Sequence, residues 1–464
     1  MNNNINAAEQ KKQKPKTDKV TAVFYSFGEV GSQLSWYMIN SYLMIYYTDI
    51  VGLTAGAISL IMLVVRIATA VSSPIWGVIQ DRTYSKWGKF RPYVMFLPIF
   101  LAIFNVLTFT VFPVKGVAKV VTCLILYLFT GLLYSGITNA YSALVNVIAR
   151  DSQVRMNYSA ARTIGSSIIQ MILSAGAMPL ILFFSNSQKA TATGYFWTTV
   201  ICSVAMIPFF FFCALRCKEV VHVDRARADN GKPKEKVSVW KSLITTLKND
   251  MLDIVIVSTL LGAMGAMLRM SMLTYYIIYV VGSFNLISPI MTTFTVMSLV
   301  GATLLPWGTK TFGKKKWLIY LTLLQALALA ASFIYPSNNI IYVVILNGII
   351  GFTSSSGNIS FGFVSDCIEY GDWKYGIRDE GLAVSTLGIG VAISTALSGS
   401  LGVLLLKSTG YVANQVQTAS TKVGLNALVN LLPAFLALAS AALIFFYKLD
   451  EKTMDMIAQD LDKR

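Results

Sequence analysis

The amino-acid sequence predicts an all-α membrane protein of twelve transmembrane helices, arranged as two six-helix halves. Three observations carry that expectation. The chain is 55% hydrophobic and only 13% charged, with a mean hydropathy of +0.61, too apolar for a soluble globular protein of 464 residues. Its apolar stretches reach about 20 residues or more, the length a helix needs to cross the hydrocarbon. One long polar interruption divides those stretches into two sets. An open sheet would leave backbone amides unsatisfied in lipid, so helices are the expected form and a β-barrel is not.

Taken in order, the first six spans are Tyr25–Val51, Ala55–Gln80, Pro92–Phe112, Val117–Ile148, Thr163–Phe184 and Tyr195–Leu215. The first is too long and starts too late to be a cleaved signal peptide. The polar interruption follows, with the composition of a solvated linker in Asp-Arg-Ala-Arg-Ala-Asp-Asn-Gly-Lys-Pro-Lys-Glu-Lys. Within it, Val239, Trp240, Leu243 and Leu247 are spaced for a short surface helix over Ser238–Lys248, with a plain spacer as the alternative. The second six spans are Met251–Val281, Ser288–Lys310, Trp317–Tyr335, Ile340–Cys367, Gly381–Leu406 and Leu425–Tyr447. The domains expected are therefore a tail over 1–20, a half over 21–215, a linker over 216–250, a half over 251–447 and a tail over 448–464.

Orientation follows from Lys and Arg. Lys11, Lys12, Lys14, Lys16 and Lys19 precede the first span, and Arg82, Lys86, Lys89 and Arg91 follow the second. Arg150 and Arg155, the linker, and Lys310 with Lys314, Lys315 and Lys316 continue the bias. The other set of connections holds few, such as Lys115, Lys119 and Lys189. The positive-inside rule then puts both termini in the cytoplasm and the chain in the cell membrane. The net charge of +16 is spread over connections on that face, so it reads as topology beside an anionic lipid surface and not as a nucleic-acid site.

Catalytic chemistry has little to stand on. The single histidine, His222, lies in the linker, and the five cysteines, Cys123, Cys202, Cys213, Cys217 and Cys367, have no metal-ligand spacing. An enzyme, a metal site and a bound cofactor are not expected; the cysteines read as reduced core residues. Ionisable residues within apolar spans are the better clue, since they usually line a polar pathway. Arg66, Arg162, Arg269 and Lys374 are such residues, with few carboxylates to accompany them.

Several segments carry a resemblance. Gly77-x-x-x-Asp81-Arg82 resembles the cytoplasmic signature of the major facilitator superfamily, with Lys310-Thr311-Phe312-Gly313-Lys314-Lys315-Lys316-Trp317 as a weak echo of that connection in the second half. Tyr46-Tyr47-Thr48-Asp49, Lys86-Trp87-Gly88-Lys89-Phe90-Arg91-Pro92, Arg155 with Arg162, Lys248-Asn249-Asp250 and Asp366-Cys367-Ile368-Glu369-Tyr370-Gly371-Asp372-Trp373-Lys374 span both halves in order. In these the chain resembles the glycoside–pentoside–hexuronide:cation symporter family, of the melibiose permease type. The resemblance implies the major facilitator fold of two pseudo-symmetric six-helix halves, with a site between them near the midplane and transport by alternating access.

It also implies site residues. Substrate contacts carry over to Gln33 and Thr138, where the family has aspartates, to Ser142, where it has a tryptophan, and to Arg162 and Lys374. Arg269 and Trp36 are added from the residues themselves, the arginine as a bidentate clamp for an anionic cargo and the indole as a stacking face for a sugar. The family's cation site has two aspartates and an asparagine on the second span; aligning on Arg66 and Pro74 places Thr69, Ser72 and Ser73 there. Hydroxyls alone hold sodium weakly, so protons are easier to accommodate, with Glu29 the leading coupling group and Ser135 a further candidate. Asp81, Arg82, Asp366 and Glu369 are expected at the gate. The cavity cations pair either with these acids or with an anionic cargo such as a hexuronide.

The function expected is secondary active transport of a glycoside, pentoside or hexuronide, in symport with a proton more readily than with sodium. The alternatives are an uncoupled or exchange sugar carrier, a lysolipid or other amphiphile carrier of the same superfamily, and a sugar sensor.

Overall fold

A computed structural model describes residues 18–83, 85–149, 152–219, 249–334, 339–375, 380–413, 415–449 and 451–462. Every apolar stretch predicted to span is helical. The helices are α1 (Lys19–Ile45), α2 (Ala55–Asp81), α3 (Arg91–Thr108), α4 (Val117–Ile148), α5 (Ser152–Ser185), α6 (Ala192–Arg216), α7 (Asp250–Tyr275), α8 (Ile287–Phe312), α9 (Lys314–Ile334), α10 (Ile340–Ser354), α11 (Gly357–Tyr375), α12 (Glu380–Ser408), α13 (Ala419–Asn426), α14 (Leu432–Phe445) and α15 (Glu451–Asp462). Among the described residues, ten helical segments are long and apolar enough to cross a membrane. The candidate surface helix at Ser238–Lys248 lies outside the described residues.

The tenth stretch is not one helix. It breaks at Ser355 and Ser356 into α10 and α11, where Ser354 Oγ donates to Gly351 O at 2.6 Å and Ser355 Oγ to Phe352 O at 3.0 Å. Hydroxyls bonding back to their own helix compete with the backbone ladder and favour a bend. The expected C-terminal tail is also ordered in part. α15 lays Ile457, fully buried, into a cluster with Phe363, Cys367 and Tyr447.

A structural echo links the starts of the two sequence halves. α1 runs into a π turn at Tyr46–Ile50 and α7 into one at Tyr276–Val281, each followed by a glycine at positive φ, Gly52 at 72° and Gly282 at 91°. Single π turns are uncommon inside helices and gather at functional positions.

By packing, the chain forms two compact units. The first comprises Met1–Met38, Ala68–Leu173 and Phe196–Asn230. In it α2 and α4 are tied by Ser73, Trp76 and Gln80: Asn139 Nδ2 donates to Ser73 O at 3.0 Å, Trp76 Nε1 to Leu132 O at 2.9 Å and Gln80 Nε2 to Gly136 O at 2.7 Å. The second comprises Ile39–Ile67, Ser174–Tyr195 and Gly231–Arg464, so the ends of α1 and α5 pack with the later helices. There the Asp49 carboxylate accepts hydrogen bonds from the hydroxyls of Thr48 at 2.7 Å, Tyr411 at 2.5 Å and Tyr279. Thr274 Oγ1 donates to Ser41 O at 3.1 Å and Ser288 Oγ to Ala175 O at 2.5 Å. α8 and α10 pack through glycines, since a Cβ on Gly351 would lie 2.3 Å from Phe294 O and one on Gly301 2.1 Å from Phe352 O.

Candidate substrate and coupling site

In the first unit the polar residues of α1 converge with those of α4 and α5. Glu29, Gln33 and Trp36 are four and three residues apart, which places them on one helix face. Glu29, 8% exposed, sits about 15 Å along α1 from Lys19 at the helical rise per residue. Its Oε2 accepts from Arg162 Nε at 2.6 Å, a short charge-assisted bond. Its Oε1 accepts from Gln33 Nε2 at 3.2 Å, and that amide also donates to Ser166 Oγ at 3.1 Å.

Arg162 is held from two more sides. Nη1 donates to Ser142 Oγ at 3.2 Å, and the guanidinium carbon lies 5.0 Å from the centre of the Tyr141 ring, within cation–π range. Tyr141 is fixed in turn: its hydroxyl donates to Tyr25 O at 2.7 Å and its ring stacks on Tyr25 at 4.7 Å. Glycine at position 28 makes room for that ring, because a Cβ there would approach it to 2.3 Å. The sequence Gly28-Glu29 thus places an aromatic wall and an acid side by side.

Trp36 stacks on Tyr134 at 5.1 Å with 17° between the planes, giving a half-buried aromatic platform on the same face of α1 as Gln33. The Thr138 hydroxyl donates to Tyr134 O at 2.9 Å. Ser72 Oγ donates to Thr69 O at 2.8 Å, and Ser73 Oγ to Asn139 Oδ1 at 3.2 Å. Ser135 contributes its carbonyl to Thr138 at 3.2 Å. Among the described residues no group of three or more His, Cys, Asp or Glu side chains is placed to hold a metal ion.

The sequence candidates of the second unit divide into two places. Lys374 is in the last turn of α11, its Nζ 3.5 Å from Asp250 Oδ1 at the start of α7 and 2.6 Å from Tyr370 Oη. Asp366 accepts from Lys314 Nζ at 2.8 and 2.9 Å, and Glu369 is exposed. Arg269, by contrast, is 3% exposed and lines a cavity of about 190 Å3 with Ser258, Thr322, Gln325, Ser356 and Ser360. Its Nη2 donates to Asn347 Oδ1 at 2.5 Å.

Of the residues expected at the gate, Arg82 is exposed, while the side chain of Asp81 lies outside the described residues. A neighbouring contact was missed by sequence reasoning. Glu219, in the stretch read as linker, accepts from the backbone N–H groups of Lys89 and Phe90 at 2.8 Å and of Arg91 at 3.1 Å. Arg91 Nε donates to Ala214 O at 2.7 Å. A carboxylate at the start of α3 satisfies its orphan amides and its dipole. The available signal was Arg91-Pro92, since proline near a helix start marks free N–H groups that need an acceptor.

A polytopic helical scaffold carrying a buried acid, amides, a guanidinium and an aromatic stack defines a membrane carrier for polar solutes. The comparisons give the family. The chain belongs to the family described as MFS/sugar transport protein, which matches residues 24–451, and so to the major facilitator superfamily; it is a multi-pass transporter and not an enzyme. It is 31% identical over 95% of its length to the uncharacterized symporter YjmB of Bacillus subtilis (strain 168), of which it covers 94%. It is 28% identical to the isoprimeverose transporter of Lactiplantibacillus pentosus, over 95% of this chain and 90% of that one. It is 29% identical to the glucuronide carrier protein homolog of Escherichia coli (strain K12), over 96% and 95%. The fold is similar to that of the xylose transporter XylE from E. coli, with a TM-score of 0.64 and 11% identity over 96% of this chain and 99% of that one.

Proposed function

We propose that this protein carries a glycoside, pentoside or hexuronide across the cytoplasmic membrane by alternating access of its two six-helix halves, in symport with a proton, with both termini in the cytoplasm. One observation carries the reading: the buried Glu29 carboxylate bonded to Arg162 and Gln33, two turns of α1 from the Trp36–Tyr134 stack. An amide, a hydroxyl and a guanidinium beside an aromatic face are the groups that recognise a polyol or a sugar acid. Protonation of Glu29 cancels the charge that holds Arg162, so the guanidinium is released to bind a hydroxyl or carboxylate of the cargo. Return of the proton to the solvent restores the pair and expels the cargo.

Sodium is the weaker partner in this scheme. The hydroxyls of Ser72 and Ser73 already donate to Thr69 O and to Asn139, and sodium normally requires a carboxylate among its hard oxygen ligands. The relatives support a sugar cargo, neutral or acidic, as isoprimeverose and glucuronide are named among them. The test is counterflow and gradient-driven uptake in proteoliposomes, with a neutral glycoside and its uronic-acid counterpart, with and without sodium and an imposed pH gradient. Accumulation under an inward proton gradient, insensitive to sodium, is expected. Equal uptake in the presence and absence of both gradients would instead establish an uncoupled carrier.

A further inference from the structure

Asp49 belongs to a motif that the transport scheme leaves unused. It sits in the π turn Tyr46–Ile50 that follows α1, about 45 Å from Lys19 at the helical rise per residue, and so at the end away from the N-terminal tail. α7 starts at Asp250, just after the linker, and reaches the same place through its own π turn, Tyr276–Val281. Asp49 and the side chains that bond it all belong to the second compact unit, yet they come from both halves of the sequence.

Three hydroxyls close on the carboxylate. Oδ1 accepts from Thr48 Oγ1 at 2.7 Å and from Tyr411 Oη at 2.5 Å, and Oδ2 accepts from Tyr279 Oη. With its one proton directed to Asp49, Thr48 Oγ1 accepts in turn from Tyr275 Oη at 2.9 Å. The rings reinforce the arrangement, since Tyr411 meets Tyr275 edge to face at 5.5 Å and Tyr279 at 5.2 Å. Tyr411 is brought there by the end of α12, where Gly410 takes a φ of 78°, a conformation that glycine adopts without strain. Two turns earlier on α1, the joint with α7 continues as a neutral bond from Thr274 Oγ1 to Ser41 O at 3.1 Å. Hydrogen bonds to an ionised acceptor are stronger than neutral ones, so Asp49 contributes more to this joint than the Ser41 contact does.

We propose that Asp49, Tyr279 and Tyr411 form the latch of the extracellular gate: the carboxylate gives up its hydroxyl donors each time α1 parts from α7 at this end. The latch rests on the reading of alternating access with both termini in the cytoplasm. Water can replace each of these hydroxyls at a carboxylate with little loss, which suits contacts that are broken and remade in every cycle.

The experiment is side-specific labelling of Ser41→Cys, a position buried at this joint, with a membrane-impermeant thiol reagent applied to right-side-out or inside-out vesicles. The wild-type chain, with its own five cysteines, gives the background. Added to Ser41→Cys, Asp49→Asn keeps the shape and removes the charge, and it is expected to speed labelling from the extracellular side about tenfold. Tyr279→Phe and Tyr411→Phe are expected to speed it about threefold each. Cooperative thermal unfolding of each variant shows that faster labelling reports the opening of a folded protein. Tyr411→Phe removes one hydroxyl from the connection after α12 and carries the test should Asp49→Asn fail to fold. Labelling no faster than in Ser41→Cys alone, in folded Asp49→Asn or in both tyrosine variants, overturns the latch and leaves Asp49 as a packing contact. Acceleration confined to inside-out vesicles overturns the extracellular assignment. No cargo or ion gradient enters the assay, so its failure is distinct from failure of sugar uptake.

Discussion

Arg162 and Arg269 are guanidinium groups on membrane-spanning helices, and their surroundings differ chiefly in one group, a carboxylate. Around Arg162 the charge is closed by Glu29 at 2.6 Å and supported by Ser142 and the Tyr141 ring. Around Arg269 there is an amide oxygen and a cavity whose described lining residues include serines and threonines and no acid. The first arrangement is a charge pair closed within the protein. The second has no carboxylate bonded to it among the described residues. The same residue type is thus closed by a carboxylate in one place and bonded to a neutral amide in the other.

The most severe way to break the contrast is to make the first arginine resemble the second. Glu29→Gln removes the counter-charge and leaves Arg162 with neutral partners. Losing one member of a buried pair costs about 3–5 kcal/mol, but the Arg162 side chain is 34% exposed, so about 2 kcal/mol is the reasonable expectation after solvent screening. Uptake driven by a pH gradient should fall at least about thirtyfold, while the sodium response stays flat. The double variant Glu29→Gln/Arg162→Gln should be more stable than either single one, measured by thermal unfolding; additive losses would show that the two groups are not coupled.

A second comparison strips Arg269 of its remaining acceptor. Asn347→Leu leaves the guanidinium with no bonded oxygen among the described residues and should lower stability by about 1.5–3 kcal/mol, the worth of a hydrogen bond to a charged group. An unchanged Tm in Asn347→Leu would show that this bond does not stabilise the buried guanidinium.

Much of the scaffold was legible in the sequence, because spanning helices are written in hydropathy and length. The twelve apolar stretches each became helical, often within a few residues of the expected ends. Val117–Ile148, for instance, is α4 as read. The break at Ser355 was not read, although Ser354-Ser355-Ser356-Gly357 held its signal: three hydroxyls able to bond back to the helix before a glycine. Charge pairing was legible only as two alternatives, cavity cations held by acids such as Glu29 or by an anionic cargo, and which acid meets which cation was not. Glu29 and Arg162 are 133 residues apart, and nothing local distinguishes the partner of Arg162 from the partners of Lys374 or Lys314. Asn347 gave no signal, since one amide on an apolar helix reads as packing. Ser72, Ser73 and Thr138 were identified as residues able to bond, but only coordinates reveal bonds to neighbouring backbone and amide groups.

Packing around the two arginines offers a further test. Gly28 faces a side-chain ring, at 2.3 Å from a built Cβ, and Gly351 faces the backbone oxygen of Phe294, also at 2.3 Å. A ring can shift, at the cost of the Tyr141 face beneath Arg162, whereas two helix backbones must separate. Gly351→Ala should therefore act on stability, by about 1–3 kcal/mol, with little change in the apparent affinity for cargo. Gly28→Ala should weaken apparent affinity more than it lowers Tm. The reverse pattern would dissociate the Tyr141 wall from the site.

The smallest effect is expected where the charges are paired near water. Lys374 and Asp250 lie 3.5 Å apart with side chains 38% and 51% exposed, and such pairs contribute about 0.2–1 kcal/mol. Asp250→Asn should shift Tm by no more than a degree or two for a chain of this size, and the shift should vanish at high salt because exposed pairs are screened. If Lys374 contacts cargo, as the family resemblance implies, Lys374→Met should reduce uptake far beyond what Asp250→Asn does. If it serves only as the partner of Asp250, the two variants should match in both uptake and stability. That equality would leave Arg162 and Arg269 as the cations whose environments differ in a way that matters for transport.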